Sequence, residues 1–429
     1  MQVIKYPDRK QWSSVLQRPA LQRMELEFSV RSIIDDVREN GDAAIKKYTQ
    51  QFDNILLDEI AVGKDEAHNG MKIPADLKLA IDQAEANIHA FHKDQMPQVE
   101  YVETMPGIEC RRKPVAIEKV GLYIPGGTAP LFSSLLMLGI PARIAGCGEI
   151  IVCTPAGKNG KIHPAILYTA SVTGIDKIYK VGGAQAIAAM AYGTATIPKV
   201  NKIFGPGNQY VTAAKQFIQR EGIAIDMPAG PSELCILADD TANASFIAAD
   251  LLSQAEHGAD SQVMLVTTDE TFAGKVTAQV AEQLQKLARK EMALAALQNS
   301  KIILVKNMSE GIDLVNEYAP EHLIISCSEE DRMAELVINA GSVFIGTYAA
   351  ESAGDYASGT NHVLPTNGFA KAFSGVSVDS FIKKISFQKI SAAGLKNIAN
   401  TVITMAEAEG LDAHANAIKI RSDNKIQHV

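Results

Sequence analysis

Apolar positions along this chain follow two different rhythms. From residue 24 to about residue 110 they recur every three or four residues among charged neighbours. Met24 to Asn40 carries Leu26, Val30, Ile33, Ile34 and Val37, the stripe of an amphipathic helix. Asn40-Gly41-Asp42 interrupts it, and a second helix resumes through Ile45 and Tyr48. Ile73 to Lys93 predicts another, started at Pro74-Ala75-Asp76, with Leu77, Ile81, Ala84, Ile88 and Phe91 on its apolar face. His89 and His92 share that helical spacing. With no third ligand nearby in sequence, solvated or packing roles account for both.

From Val115 the rhythm changes to short apolar runs alternating with helices. Runs at 120–124, 149–153, 177–181 and 202–204 predict strands; 131–138, 164–172, 183–191 and 209–220 predict helices. A second set follows. It has strands at 233–237, 262–267, 301–305, 322–326 and 343–345, and helices ending at His257 and Tyr318, with one long helix over 271–290. Such alternation means βαβ units on parallel sheets, here in two α/β modules. The tail from Val376 reads as largely helical and ends in a charged stretch, Lys419 to Val429. There is no internal repeat and no low-complexity segment.

Bulk properties narrow the class. A chain of 429 residues is long enough for about two to three domains. Its 47% hydrophobic and 21% charged content is that of an ordinary globular protein. A net charge of −8 disfavours nucleic acid and anionic membrane as partners. The cysteines (Cys110, Cys147, Cys153, Cys235 and Cys327) form no CxxC pair and mostly sit in apolar runs, as buried reduced thiols do. The N-terminus has no apolar export segment, and no apolar run reaches the roughly 18 residues of a membrane span. The expectation is a cytoplasmic protein.

Polar residues then mark where chemistry could sit. The stretch Ile225 to His257 reads as strand, Gly/Pro turn, strand and capped helix, ending in Gln254 and His257. Three apart, these project from one helical face, and a metal ion is one reason for such a pair. Glycine turns follow the strands at Ile124, Val181 and Phe204. None matches GxGxxG, so they are either ordinary strand-to-helix turns or a loose phosphate or dinucleotide site. Glu321-His322 precedes an apolar strand and suits proton transfer, unless both side chains are simply solvated. Asp355 and His362 lie in a Gly/Ser-rich loop between buried runs, the kind of loop that carries function. Glu409 and His414, taken alone, read as surface residues.

Several motifs together resemble the histidinol dehydrogenase family. They are IDMPAGPSE (225–233), ADLLSQAEH (249–257), VGLYIPGGTAPLFSSLLMLGIPA, VGGAQAIAAMAYGT, KIFGPGNQYVTAAK, APEHL and GDYASGTNHVLPT. They span nearly the whole chain, and the first hundred residues match least distinctly. The resemblance implies oxidation of L-histidinol to L-histidine by two NAD-dependent steps, the last in histidine biosynthesis. It implies one Zn²⁺ per subunit on Gln254, His257, Asp355 and His414, and Glu321 with His322 as the acid/base pair. Ser232, His362 and Glu409 would contact substrate together with the zinc ligands and His322, and Tyr123, Gln185 and Asn208 would contact NAD.

The fold so implied is α/β, with two incomplete Rossmann-like parallel-sheet domains and helical N- and C-terminal arms. Residues 116–232 would form the NAD-binding domain. Residues 25–115 would join 233–370 as the metal and catalytic domain. The arms would be 1–24 and 371–429, the latter exchanged in a homodimer so that His414 and Glu409 complete the neighbour's site. Two rivals differ in class. A zinc hydrolase could use the same metal and a Glu-activated water, but has no use for three glycine turns. A two-lobed ligand-binding protein, as in periplasmic receptors, would carry an export signal.

Overall fold

The computed structural model describes residues 1–19, 23–69, 72–126, 130–228 and 230–423. Gly127 of the first glycine turn and the end of the charged tail, residues 424–429, lie outside the described residues. The chain opens with β1 (Gln2–Lys5) and continues through helices Arg23–Asn40, Asp42–Asp53, Lys64–Asn69 and Ala75–Lys93. β2 (Glu100–Met105) and β3 (Ile108–Ala116) form a hairpin. Next come β4 (Lys119–Tyr123), β5 (Glu149–Thr154), β6 (Lys177–Lys180), β7 (Lys202–Phe204) and β8 (Ala224–Ile225). β9 (Glu233–Ala238), β10 (Gln262–Thr267), β11 (Lys301–Leu304), β12 (His322–Ser326) and β13 (Ser342–Ile345) complete the second set. β14 (Ile382–Ile390) precedes the helices Ala392–Ala408 and Asp412–Asp423.

The chain divides into two compact units, Met1–Gln95 with Ile117–Phe381, and Met96–Ala116 with Ile382–Val429. The larger unit holds two parallel sheets, ordered β6-β5-β4-β7-β8 and β1-β11-β10-β9-β12-β13. From β4 in the first and β9 in the second, the chain moves outward on one side, then returns to the centre and moves outward on the other; β1 joins the edge of the second beside β11. The switch points lie between β4 and β7 and between β9 and β12, where open α/β sheets form crevices.

The inner strands β9 to β12 of the six-stranded sheet are near-continuous apolar runs because both faces are covered. Leu234, Ile236, Val263, Leu265 and Ile302 pack on one face, and Cys235, Leu237, Met264, Val266 and Ile303 on the other. Helices start where side chains satisfy free backbone donors. Asn208 accepts from the Tyr210 and Val211 amides, Asn243 from Ser245 and Asn307 from Glu310. Among the described residues no helix is long and apolar enough to cross a membrane. All five cysteines are free thiols.

Several expectations need correction. The helices Arg23–Asn40 and Asp42–Asp53 share the core of the five-stranded sheet, through Val30, Ile34, Ile45 and Tyr48 against Ile187, Met190 and Ile218. This places them with the five-stranded sheet rather than with the six-stranded sheet that residues 25–115 were expected to join. The expected N-terminal helical arm begins instead with a strand, β1, which extends the six-stranded sheet beside β11. Residues 100–116 and 382–390, read as helical, make an antiparallel sheet ordered β14-β3-β2. These strands are mostly exposed, so no buried face marks them in the sequence. The long helix over 271–290 is two, Glu270–Leu284 and Lys290–Gln298. In Ala75–Lys93 the inward residue of the last turn is His92 rather than Phe91. Its Nδ1 lies 2.8 Å from the Ile88 carbonyl and its Nε2 3.3 Å from Asn361 Nδ2, a packing role.

Candidate active site

The polar residues of the six-stranded sheet gather at the amino ends of β9 and β12, beside the switch point. Parallel pairing sets His322 opposite Leu234, which brings Glu321 and His322 next to Glu233. The Glu233 amide donates to Glu321 Oε2 at 2.8 Å. Helix Ala244–Ala255 comes back over the sheet and ends at the same place. Gln254, in its last turn, is fully buried, with Nε2 3.2 Å from His322 Nδ1 and 3.3 Å from the Glu233 carbonyl. His257 lies beyond the helix end and is exposed.

Helix Glu351–Tyr356 closes the cluster from the far side. Asp355, expected in a loop, stands on this helix with Oδ1 3.6 Å from His322 Nε2. Glu351, one turn earlier, is buried and accepts from Ser253 Oγ at 2.9 Å. One donor atom from each of His322, Glu351 and Asp355 falls within 4.8 Å of the others, a group able to hold a cation. His362 spans from the Asp355 carbonyl, 2.8 Å from Nδ1, to Ser134 Oγ, 3.1 Å from Nε2. Ser232 directly precedes β9 and is partly buried.

Electrostatics follow from this crowding. Burial opposes charge on His322, yet Glu321, Asp355 and Glu351 outweigh it and hold the imidazole well above its ordinary range. Burial pushes the Glu351 carboxyl up, with His322 pulling the other way. For Asp355 burial is overcome by His322, His362 and His257, which hold it below the usual carboxylate range. Burial also lowers the pKa of His362.

The second candidate set lies in the five-stranded sheet, at the opposite strand ends. Tyr123 ends β4, Gln185 is in the first turn of the helix after β6, and Asn208 caps the helix after β7. The buried Tyr123 hydroxyl accepts from the Gly183 amide at 3.1 Å and so ties two of the turns together. Burial raises its pKa to about 12, so it stays a neutral phenol. Gly205 must be glycine. Its φ is +126°, and a Cβ there would sit 2.0 Å from the Tyr123 carbonyl oxygen.

Glu321, His322, Gln254, Asp355 and His362 are thus brought together in the larger unit. Glu409, the cap of helix Ala392–Ala408, and His414, on Asp412–Asp423, belong to the smaller unit and are exposed. Glu351 was missed from the sequence. Its one signal is the four-residue spacing to Asp355, which puts both carboxylates on one helical face.

Comparison with known proteins gives the family. A family model described as histidinol dehydrogenase matches residues 16–422. Histidinol dehydrogenase of Bacteroides fragilis is 57% identical over 422 residues, 98% of this chain and 99% of the relative. That of Vibrio parahaemolyticus is 49% identical over 423 residues, 98% of this chain and 97% of the relative. The crystal structure of histidinol dehydrogenase from Elizabethkingia anophelis superposes with a TM-score of 0.95 at 51% identity, covering 98% of each chain. Two parallel sheets, glycine turns and an acid–imidazole pair therefore belong to an α/β oxidoreductase of the NAD-dependent class. Within that class, the chain belongs to the histidinol dehydrogenase family.

Proposed function

We propose that this chain oxidises L-histidinol to L-histidine through the aldehyde, reducing two NAD per substrate, as the last step of histidine biosynthesis. It works as a zinc-dependent cytoplasmic homodimer with no nucleic-acid or membrane partner. The observation that carries this is the buried Glu321–His322 pair beside two buried oxygens, Gln254 Oε1 and Glu351 Oε1, with no hydrogen-bond partner among the described residues. Orphaned polar atoms are uncommon in a folded interior, and two beside an acid–imidazole pair leave acceptors free for a ligand.

The residues fit a zinc ion. The cluster sits at the C-terminal end of helix Ala244–Ala255, whose dipole favours cations, and its donors are amide oxygen, imidazole and carboxylate. Gln254, His257 and Asp355 would hold the metal, joined by a neighbouring subunit's copy of His414. Bound there, a zinc ion would supply positive charge that orients the substrate and offsets the carboxylates around His322, leaving the imidazole free to serve as a base. Ser232, His362 and Glu409 contact the substrate.

The residues at the other sheet fit NAD as well. Tyr123, Gln185 and Asn208 stand at helix N-termini and strand ends that favour phosphates, and Gln185 Oε1 is buried without a partner among the described residues. When bound, NAD takes up the hydride that each oxidation releases.

His322 points Nδ1 at the Glu233 carbonyl, 3.3 Å away, which leaves Nε2 to take the hydroxyl proton. Glu321, held through Oε2 by the Glu233 amide, activates the water that hydrates the aldehyde. His322 then removes a proton from the hydrate in the second oxidation. A hydrolase would leave the glycine turns of the five-stranded sheet without a use.

The direct test mixes the protein with zinc, NAD and histidinol and follows NADH absorbance. Two NADH per histidinol are expected, and no signal would sink the reading. Sharing of the site is tested by mixing His414→Asn and His322→Asn subunits. Recovered activity supports exchange of the C-terminal arm; none argues for sites built within one chain.

A further inference from the structure

Glu233, the first residue of β9, has no part in the reaction above. Its backbone nevertheless touches three members of the cluster. The N–H donates to Glu321 Oε2 at 2.8 Å, and the carbonyl faces Gln254 Nε2 and His322 Nδ1, both at 3.3 Å. Whatever fixes residue 233 therefore fixes an acid, an imidazole and an amide at once.

What fixes it is a buried ion pair with Arg18, whose side chain is 17% exposed against 3% for Glu233. Arg18 meets both carboxylate oxygens, Nη2 lying 2.9 Å from Oε2 and Nε bonding Oε1. The same Nη2 donates to the Tyr318 carbonyl at 2.8 Å, and the guanidinium stacks 4.0 Å from the Tyr318 ring centre. The Asn367 amide caps Oε1 at 2.8 Å. Tyr318 lies three residues before Glu321, so one guanidinium ties the start of β9 to the segment that leads into β12. Buried ion pairs are poor stabilisers, because desolvation offsets their attraction. A planar fork that reaches two strand starts is instead a device for holding geometry.

We propose that Arg18 and Glu233 form a positioning clamp that sets the backbone of residue 233 and, through it, Glu321, His322 and Gln254. This rests on the oxidation chemistry proposed for the site. The N-terminal segment thereby gains a role, since residue 18 acts on the reaction without touching substrate.

The experiment compares the full-length wild type with Arg18→Lys, Arg18→Ala and, as a control, Arg9→Gln. Arg9 pairs with Asp313 on the surface of the same segment, with side chains 71% and 47% exposed, so its loss leaves activity unchanged. Arg18→Lys keeps the charge but loses the fork. Its kcat is expected to fall about tenfold to a hundredfold with KM for NAD unchanged. Arg18→Ala falls further and is partly rescued by added ethylguanidine. Hydrogen exchange supplies a readout that needs no turnover. The Glu233 amide loses protection in Arg18→Lys while those of Ile236 and Leu237 keep theirs. Wild-type kcat with an unchanged Glu233 amide overturns the clamp. So does a loss of activity accompanied by exposure of all of β9, which would mean general stabilisation only. If the wild type makes no NADH from histidinol, the oxidation reading fails by itself, and exchange at the Glu233 amide still decides the clamp.

Discussion

The two parallel sheets of the larger unit place their candidate residues at opposite strand ends. In the five-stranded sheet Tyr123, Gln185 and Asn208 follow or end strands, where helices begin. In the six-stranded sheet Glu233, Glu321 and His322 stand at strand starts, where the helix Ala244–Ala255 ends. In a βαβ unit these are the two poles of the helix dipole. The first offers free amides to phosphates, the second free carbonyls to a cation. One architecture thus makes both an anion-favouring and a cation-favouring sheet end.

Each end is also braced by a buried ion pair, differently built. Arg18 and Glu233 bridge strand starts, whereas Lys215 and Asp226 grip a single turn. Lys215 Nζ donates to the Gly205 carbonyl at 2.9 Å, and the Gly205 amide donates to Asp226 Oδ2 at 2.8 Å. The arginine pair holds the strand start beside the side chains proposed for chemistry; the lysine pair holds the turn proposed to bind NAD.

This contrast can be broken from either side. The largest effect is expected at His322. His322→Asn should lower kcat by about a thousandfold with NAD affinity intact, checked by NADH formation and by titration with NAD. An equal loss of NAD binding would deny the division between the sheets. Next, Lys215→Met strands a buried Asp226 and should destabilise the protein by about 3 kcal/mol or more, read by denaturant unfolding. At the five-stranded sheet, Gln185→Ala should raise KM for NAD by about tenfold at nearly constant kcat. A fall in kcat alone would move Gln185 out of the binding role.

The smallest effect concerns Asp250, on the helix that carries Gln254. Burial raises its pKa to about 6. A folded-state pKa above the unfolded one favours folding most below about pH 4, and that contribution is lost as pH rises through 6. Asp250→Asn should therefore unfold at a higher temperature than wild type at pH 8, with the gain shrinking towards pH 5. A gain independent of pH would point to repacking instead.

Much of this arrangement was legible along the chain. The strands β4 to β7 and β9 to β12 follow their apolar runs closely, because parallel strands covered on both faces must be apolar throughout. Gln254, Glu321, His322 and Asp355 were visible as polar residues flanking such runs. Other parts gave no signal. β2, β3 and β14 bury little, so their alternation carries no hydrophobic contrast. Glu351 reads as one more acid in a polar stretch, and nothing around Arg18 hints at a partner 215 residues away.

The sequence by itself determined the α/β class, the order of the buried strands along the chain and, through its motifs, the family. Those depend on local periodicity and on side-chain types written in one dimension. Only the tertiary structure decided which strand ends face each other and which polar atoms stay buried without partners. It also decided that residue 18 braces residue 233. The parallel register of β9 and β12 brings their starts together, and the return of the intervening helix delivers Gln254 to the same point. Convergence of that kind is set by packing across the whole unit, and no short window of sequence contains it.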